Sequence, residues 1–247
     1  MDESLYWKFL EVERSHWWFV ARRQILLALF RHYLPSGGCI LDVGCATGYI
    51  LEAAQQEFDA WGIDPTPTAV KICQDRGLTQ VVHGSTEDFS AVADKRFDAV
   101  GFFDVIEHVD DDLSALRNAR EVLTEHGLVM ITVPAHMWLW SEHDVINDHK
   151  RRYVKGQLEH LLHDAGFHIE QLTYFNSYLF PSAVLARLAR RIIRSVGKAD
   201  LSMPPPWANR LMTRVFASER RHLVPNGRPR GFPTGLSLLA IARKDEV

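Results

Sequence analysis

From residue 39 onward, short unbroken apolar runs alternate with stretches whose apolar positions recur every three or four residues. The runs at 39–43, 60–64, 80–83, 97–103 and 128–133 predict five buried strands, the last stopped by Pro134. Helices are predicted at 49–57, after Pro65 and Pro67, and at 111–124, which carries Leu113, Leu116 and Val122. Proline suits a first helical turn because the N–H it lacks has no partner there anyway. Strands that are apolar without alternation are buried on both faces, as in a parallel sheet between helices. The expected fold is therefore a doubly wound α/β layout.

Past Pro134 the alternation loosens. Residues 156–165 predict a helix, 166–173 a sixth strand and 236–243 the last one. About sixty residues separate these two strands, more than an ordinary connection holds. That stretch contains a helical run, the Pro-rich sequence Met203-Pro204-Pro205-Pro206-Trp207 and a second helix from 208 to about 221. The organisation expected is an N-terminal helical segment, 1–38, followed by one domain, 39–247, with a helical insert at about 176–232.

Composition changes this picture in one respect. Of 247 residues, 47% are hydrophobic and 24% charged, ordinary globular usage that excludes a disordered or fibrous chain. The net charge of −3 conceals a division. Residues 1–175 hold 15 Lys/Arg against 27 Asp/Glu, whereas 176–247 hold 13 against 4. An acidic body thus carries a basic C-terminal part, an asymmetry that marks contact with something anionic. Met1-Asp2-Glu3-Ser4 has no signal-peptide character, and no run reaches the roughly 18 apolar residues that cross a bilayer. Cys39, Cys45 and Cys73 form no CxxC pair, which argues against a disulfide framework or zinc cluster. A cytoplasmic protein is the expectation.

The strongest chemical signal is Leu41-Asp42-Val43-Gly44-Cys45-Ala46-Thr47-Gly48, a strand, small-residue turn and helix start in order. Gly44 and Gly48 would let backbone approach a ligand without a Cβ clash. The G-x-x-x-G spacing differs from the G-x-G-x-x-G of dinucleotide binders, and no Gly-Lys-Ser/Thr follows. The second strand ends in Asp64, where a carboxylate can accept from both hydroxyls of a ribose. These features together specify a nucleoside-containing cofactor without an essential phosphate grip.

Residues 39–133, continuing through 156–173, resemble a class I S-adenosylmethionine-dependent methyltransferase, closest to the group that includes ubiquinone-biosynthesis O-methyltransferases. The resemblance implies a Rossmann-like, seven-stranded sheet with an antiparallel last strand. It also implies S-adenosyl-L-methionine as cofactor. The turn Gly44, Cys45, Ala46 to Gly48 would pass beneath the methionine moiety, with Asp42 near its amino end. Asp64, with Pro65 beside it, would hold the ribose. Thr86 and Glu87, in Gly84-Ser85-Thr86-Glu87-Asp88, would border the adenine, and Asp104 would sit at the methionine end. Ala46 replaces a frequent glycine, and Ser85 stands where many members are acidic.

In some relatives a carboxylate-x-x-Glu-His set binds a divalent metal, and Asp104, Glu107 and His108 resemble it. The favoured reading of these residues is cofactor contact by Asp104 and helix-end capping by Glu107 and His108, with no metal. Asp110, Asp111 and Asp112 suit the first turn of the following helix. Residues 136–153 are rich in polar and aromatic groups. Methyl transfer to oxygen needs a base, and His143, His149 and His108 are the candidates. Arg151 and Arg152 would hold an anionic substrate group or cap a helix.

Residues 13–23 recur in a subgroup of these methyltransferases and predict an amphipathic helix that either packs on the sheet or forms a lid over the pocket. In the insert, Arg187, Arg190, Arg191 and Arg194 fall on one helical face, with Leu185, Leu188, Ile192 and Val196 largely on another, and Arg210, Arg214 and the pair Arg220-Arg221 extend the positive character. A basic amphipathic helix suits a membrane surface or a lipid-linked substrate; packing against the acidic body is the alternative. Nucleic acid is not expected, because the basic residues lack interleaved aromatics. The function expected is methylation of a hydroxyl on a small or lipid-linked acceptor. The rivals are a non-catalytic cofactor-binding scaffold and an NAD-dependent oxidoreductase.

Overall fold

The apolar runs become the strands of one sheet in the computed structural model, which describes residues 3–193, 202–224 and 231–245. Two helices precede the sheet, α1 (Ser4–Val12) and α2 (Trp17–Tyr33). Then come β1 (Cys39–Val43), α3 (Tyr49–Ala54), β2 (Asp59–Asp64), α4 (Pro67–Asp75), β3 (Val81–His83) and β4 (Phe97–Phe103). They are followed by α5 (Asp112–Val122), β5 (Leu123–Pro134), α6 (Glu142–Ile146), α7 (Lys155–Asp164) and β6 (Phe167–Phe175). The insert holds α8 (Phe180–Ile193), α9 (Pro206–Ser218) and α10 (Arg220–Leu223), and the last element is β7 (Ser237–Lys244).

The sheet order is β3-β2-β1-β4-β5-β7-β6. β1 pairs in parallel with β2 and β4, while β7 runs antiparallel between β5 and β6. This is the doubly wound, seven-stranded Rossmann-like sheet with a reversed last strand that the resemblance implied. Its carboxyl ends place Asp42, Asp64 and Asp104 at the ends of three adjacent parallel strands.

The two faces bury separate apolar layers. One receives Ala21, Ile25, Leu26, Leu29 and Phe30 of α2, with Phe216 and Ala217 of α9 and Leu223 of α10. The other receives Leu116, Ala119 and Val122 of α5, and Leu158 and Leu162 of α7. Among the described residues, no helix is long and apolar enough to cross a membrane.

Three differences from the sequence reading have simple causes. Residues 13–23 are not one helix: α1 stops at Val12, and His16 starts α2 by accepting from the Trp18 N–H at 3.3 Å. The fifth strand begins at Leu123, earlier than its apolar run, through a bulged pairing with β4 near Phe97. In α8, Arg187 donates to the Leu139 carbonyl at 3.1 Å whereas Leu185 is 67% exposed, the reverse of a helix with its apolar side inward. The remainder of the expected basic face, at Arg190, Arg191 and Arg194, lies outside the residues described with side chains.

The insert is bound to the N-terminal helices. Asn209 accepts from the Trp17 N–H and donates to the Ser15 carbonyl, both at 2.8 Å, and Phe216 meets Trp17 and Phe175. Phe216→Ala is expected to cost about 3–5 kcal/mol, read as a lower urea midpoint at unchanged slope. An unchanged midpoint would mean that α9 is not docked.

Candidate active site

The turn after β1 is held by its neighbours. Gly44, Ala46 and Gly48 all have positive φ, 71°, 50° and 73°. A Cβ on Gly48 would lie 2.4 Å from Leu78 Cδ1, and one on Gly44 would lie 2.9 Å from Val105 Cγ2. The Cβ side of each glycine is filled by protein, so both answer there to backbone conformation and close packing, while Gly44 also borders the large cavity. The Thr47 hydroxyl donates to the buried Glu13, which also accepts from Arg76 Nη1 at 2.7 Å. Arg76 Nη1 donates to the Thr47 carbonyl as well, so the end of α1 is fastened to the turn.

Asp64 is buried with both oxygens engaged. Oδ2 accepts from the Ala46 N–H and Oδ1 from the Thr66 N–H, each at 2.9 Å. Burial raises its carboxyl against these hydrogen bonds. Above it lies α1, whose Tyr6 hydroxyl is 3.0 Å from Thr66 Oγ1 and whose ring packs with Ala69 and Ile72.

A cavity of about 760 Å³ opens at the ends of β1 and β4. Phe9, Trp17, Trp18 and Phe19 from the N-terminal helices wall it, while Asp42, Gly44, Cys45, Ala46, Thr47 and Asp104 lie along its base. Asp104 has φ +59° and pairs with Arg22 of α2, whose Nη2 lies 2.8 Å from Asp104 Oδ2 and 3.3 Å from Thr132 Oγ1. Arg22 also stacks over Trp18, 4.7 Å from the ring centre. Asp42 is buried beside them, and no hydrogen-bond donor among the described residues reaches it. Burial pushes its carboxyl up to about 7, against the opposing charge of Arg22.

A second cluster borders the same cavity. Glu107, His108 and His149 each offer a ligand atom, all within 4.8 Å of one another. Both Glu107 carboxylate oxygens are buried without a partner, so Glu107 caps no helix. Burial, reinforced by Asp104, drives its carboxyl well above the usual range. His149 Nδ1 lies 2.9 Å from Asp144 Oδ1; a carboxylate can only accept, so Nδ1 carries the proton and Nε2 is the basic atom. His108 Nδ1 faces the Asp148 carbonyl at 3.2 Å, which leaves its Nε2 basic too. Burial, with the neighbouring His149, lowers the His108 pKa. His143 also lines the cavity, its ring centre 6.0 Å from that of His149.

Asp144 organises this corner. Arg152 grips it through Nε at 2.7 Å and Nη2 at 3.0 Å, while Arg152 Nη1 donates to the Ala135 carbonyl. Arg151 binds Asp112 at 2.9 Å. Both guanidiniums are therefore committed to the protein, and neither serves as the substrate clamp or helix cap that the sequence suggested. Asp111 caps α5 by accepting from the Ser114 N–H at 2.9 Å.

The cavity thus gathers Asp42, Gly44, Cys45, Ala46, Asp104, His108, His143 and His149. Gly48, Asp64, Pro65, Thr86 and Glu87 are not in its lining; Glu87 is exposed and the Thr86 carbonyl accepts from Asn118. Sequence reasoning missed Arg22, Glu13 and Asp144. Arg22 had a signal, a cation four residues after Trp18 within an aromatic stretch, whereas Asp144 had none beyond lying five residues before His149.

Residues 16–172 match the family model described as a methyltransferase domain, and the chain belongs to that family. It is a class I S-adenosylmethionine-dependent methyltransferase. A ubiquinone biosynthesis O-methyltransferase of Azorhizobium caulinodans is 32% identical over 120 residues, covering 44% of this chain and 47% of that protein. One from Cereibacter sphaeroides is 35% identical over 103 residues, covering 39% and 42%. The match therefore spans about half the length of these relatives. The solved structure of an S-adenosylmethionine-dependent methyltransferase from Archaeoglobus fulgidus shares the fold, with a TM-score of 0.57 and 19% identity. That likeness covers 90% of this chain and 94% of the other.

The cavity base suits this cofactor. Asp42 and Asp104 offer negative charge to a sulfonium and an ammonium, and Arg22 offers positive charge to a carboxylate.

Burial alone would raise the Asp144 carboxyl, but hydrogen bonds from His149 and Arg152 outweigh it and hold it well below the usual carboxylate range. A lowered native pKa stabilises the fold above the unfolded value near 4, and that contribution fades as pH falls below it. Asp144→Ala, leaving Arg152 buried and unpaired, is expected to cost about 3–5 kcal/mol at neutral pH. In urea unfolding, the difference from wild type should shrink toward pH 3; a difference independent of pH would refute the pairing.

Proposed function

We propose that the chain methylates a hydroxyl of a small or lipid-linked acceptor, and the observation that carries this reading is the cluster of Glu107, His108 and His149 beside the cofactor end of the cavity. S-adenosylmethionine, when bound, supplies an electrophilic methyl group on sulfur. Arg22 suits the cofactor's carboxylate, since its Nη1 carries no hydrogen bond, and Asp42 suits the ammonium. His149 Nε2 takes the acceptor proton while Asp144 fixes the ring and steadies the imidazolium. With that proton removed, the acceptor oxygen would be free to take the methyl group, the carbon–sulfur electron pair staying with the cofactor's sulfur. Holding oxygen, carbon and sulfur in line supplies the rest of the acceleration. The identity with ubiquinone-biosynthesis O-methyltransferases supports oxygen as the receiving atom.

The N-terminal helices serve both expected roles in this reading. α2 packs on the sheet, while α1 seals Asp64 and is the lid that must shift for a ribose to reach it. A second use of the cluster rests on its donor set. Glu107, His108 and His149 would hold a divalent cation, which would lower the pKa of an acceptor hydroxyl. Here His149 replaces Asp104 of the expected set, because Asp104 is paired with Arg22.

The deciding assay transfers labelled methyl from the cofactor to catechol and hydroxylated polyprenyl-phenol acceptors. His149→Gln is expected to lower kcat about 10²–10⁴-fold. Activity that survives exhaustive chelation assigns His149 as the base, whereas loss restored by added Mg²⁺ or Zn²⁺ assigns the metal. Turnover on no hydroxyl acceptor, with amines methylated instead, would overturn the proposal. Because the Asp42 carboxyl sits near 7 and must be ionised to hold an ammonium, cofactor affinity should rise several-fold from pH 6 to pH 7.5 by calorimetry. Asp42→Asn should abolish that rise.

A further inference from the structure

The insert carries a surface that methyl transfer does not use. On α9, Trp207, Arg210, Leu211 and Arg214 fall at i, i+3, i+4 and i+7, one face of the helix. Phe216 and Ala217 on the other side are buried in the core. The outward face holds large apolar side chains in water: Trp207 is 67% exposed, Leu211 54%, and Met203 just before the helix 45%. Beside it, α10 adds Arg220 and Arg221, both exposed. A groove of about 330 Å³ lies between α9, α10 and α2, lined by Gln24, Thr213, Arg214, Ser218, Arg220 and Arg221.

Among the described residues these arginines have no acidic counterpart. The only carboxylate within 202–224 is Glu219, which is buried and accepts from the Ser177 and Tyr178 N–H groups. None of Arg210, Arg214, Arg220 and Arg221 forms an ion pair among the described residues; Arg220 reaches only Gln24 and the Ala217 carbonyl. The positive balance of the C-terminal part is therefore not spent on the acidic body here.

We infer that this face docks on an anionic bilayer, with Trp207, Leu211 and Met203 entering the interface and the groove arginines taking lipid phosphates. Guanidinium groups bind phosphate in paired hydrogen bonds, and tryptophan settles at the boundary between headgroup and acyl chain. A nucleic acid would engage the arginines but offer nothing to Leu211 and Met203, so the bilayer is the partner that uses both halves of the surface. The surface also adjoins the active site. Ser202, Pro204 and Met212, from the same segment, line the large cavity, as do Ser182, Ala183 and Ala186 of α8. Docking would thus set the cavity's insert-side wall against the membrane, where an acceptor with a lipid tail resides. The sequence reading put the basic character on α8 and extended it to Arg210, Arg214, Arg220 and Arg221; Arg190, Arg191 and Arg194 lie outside the residues described with side chains, so the inference rests on the second set. The inference stands apart from the acceptor atom, since it concerns binding without turnover.

Sedimentation of the full chain with phosphatidylcholine vesicles, with and without phosphatidylglycerol, tests it. The wild-type protein is expected to sediment with the anionic vesicles only, and less so as salt rises. Arg210→Gln with Arg214→Gln and Arg221→Gln should weaken binding about a hundredfold. Trp207→Ser with Leu211→Ser should weaken it about tenfold. Both variants should retain the thermal stabilisation given by S-adenosylhomocysteine, which shows them folded and separates this result from failure of the methyltransferase reading. Equal binding to neutral vesicles, binding that ignores both variants, or no sedimentation would overturn the inference. So would stabilisation by inorganic phosphate, or capture of single-stranded RNA, without vesicle binding.

Discussion

Burying carboxylates at the ends of hydrophobic strands is the constraint around which this site is built. Asp42, Asp64 and Glu107, all buried, and the half-buried Asp104 crowd the carboxyl ends of β1, β2 and β4, and each buried ionised group costs several kcal/mol to remove from water unless it is paired. The sheet supplies only part of that compensation, the Thr132 hydroxyl of β5 donating to Asp104 Oδ1 at 3.2 Å. Two backbone amides satisfy Asp64, and Arg22 satisfies Asp104. Burial still leaves Asp42, Asp64 and Glu107 with raised affinities for protons. One arginine, delivered by a helix from outside the sheet, thus balances much of the field. Losing a buried pair costs about 3–5 kcal/mol against a total stability of about 5–15. The docking of α2 is for that reason a condition of the site as well as of the core.

The strands were legible because their apolar runs are unbroken, and the reversed β7 came with the family resemblance. The strand-end positions Asp42, Gly44, Ala46 and Asp104 followed, since a strand's end is readable from where apolarity stops. Pairings made in three dimensions were not. Arg22 meets Asp104 across 82 residues, and nothing at either position names the other. His143 and His149 look alike in sequence, and their partners separate them, Asn147 beside the first and the Asp144 carboxylate on the second. Gly44 and Gly48 show a related limit: a glycine reports missing bulk but not which neighbour takes the space on its Cβ side. Here the neighbours are Val105, and Leu78 with Cys73.

The site is asymmetric between its two ends. The end of the site at Asp42 and Asp104 is open and walled by aromatics, whereas Asp64 lies closed beneath Tyr6. Glu13 ties that closure to the turn through Thr47 and Arg76, so the cover and the turn beneath it share one hydrogen-bonded network. On the far side, Asn209 joins the insert to the same N-terminal helices.

β7 is last in sequence yet interior in the sheet, seated between β5 and β6. A chain emerging residue by residue therefore presents both of those strands with an unpaired edge until 237–244 arrive, and exposed apolar edges are where chains adhere to one another. Long-range pairing of this kind is also slow to form. Synthesis of this protein passes through an interval in which β5 is an open edge and β6 lacks its partner strand, a natural point for chaperone engagement.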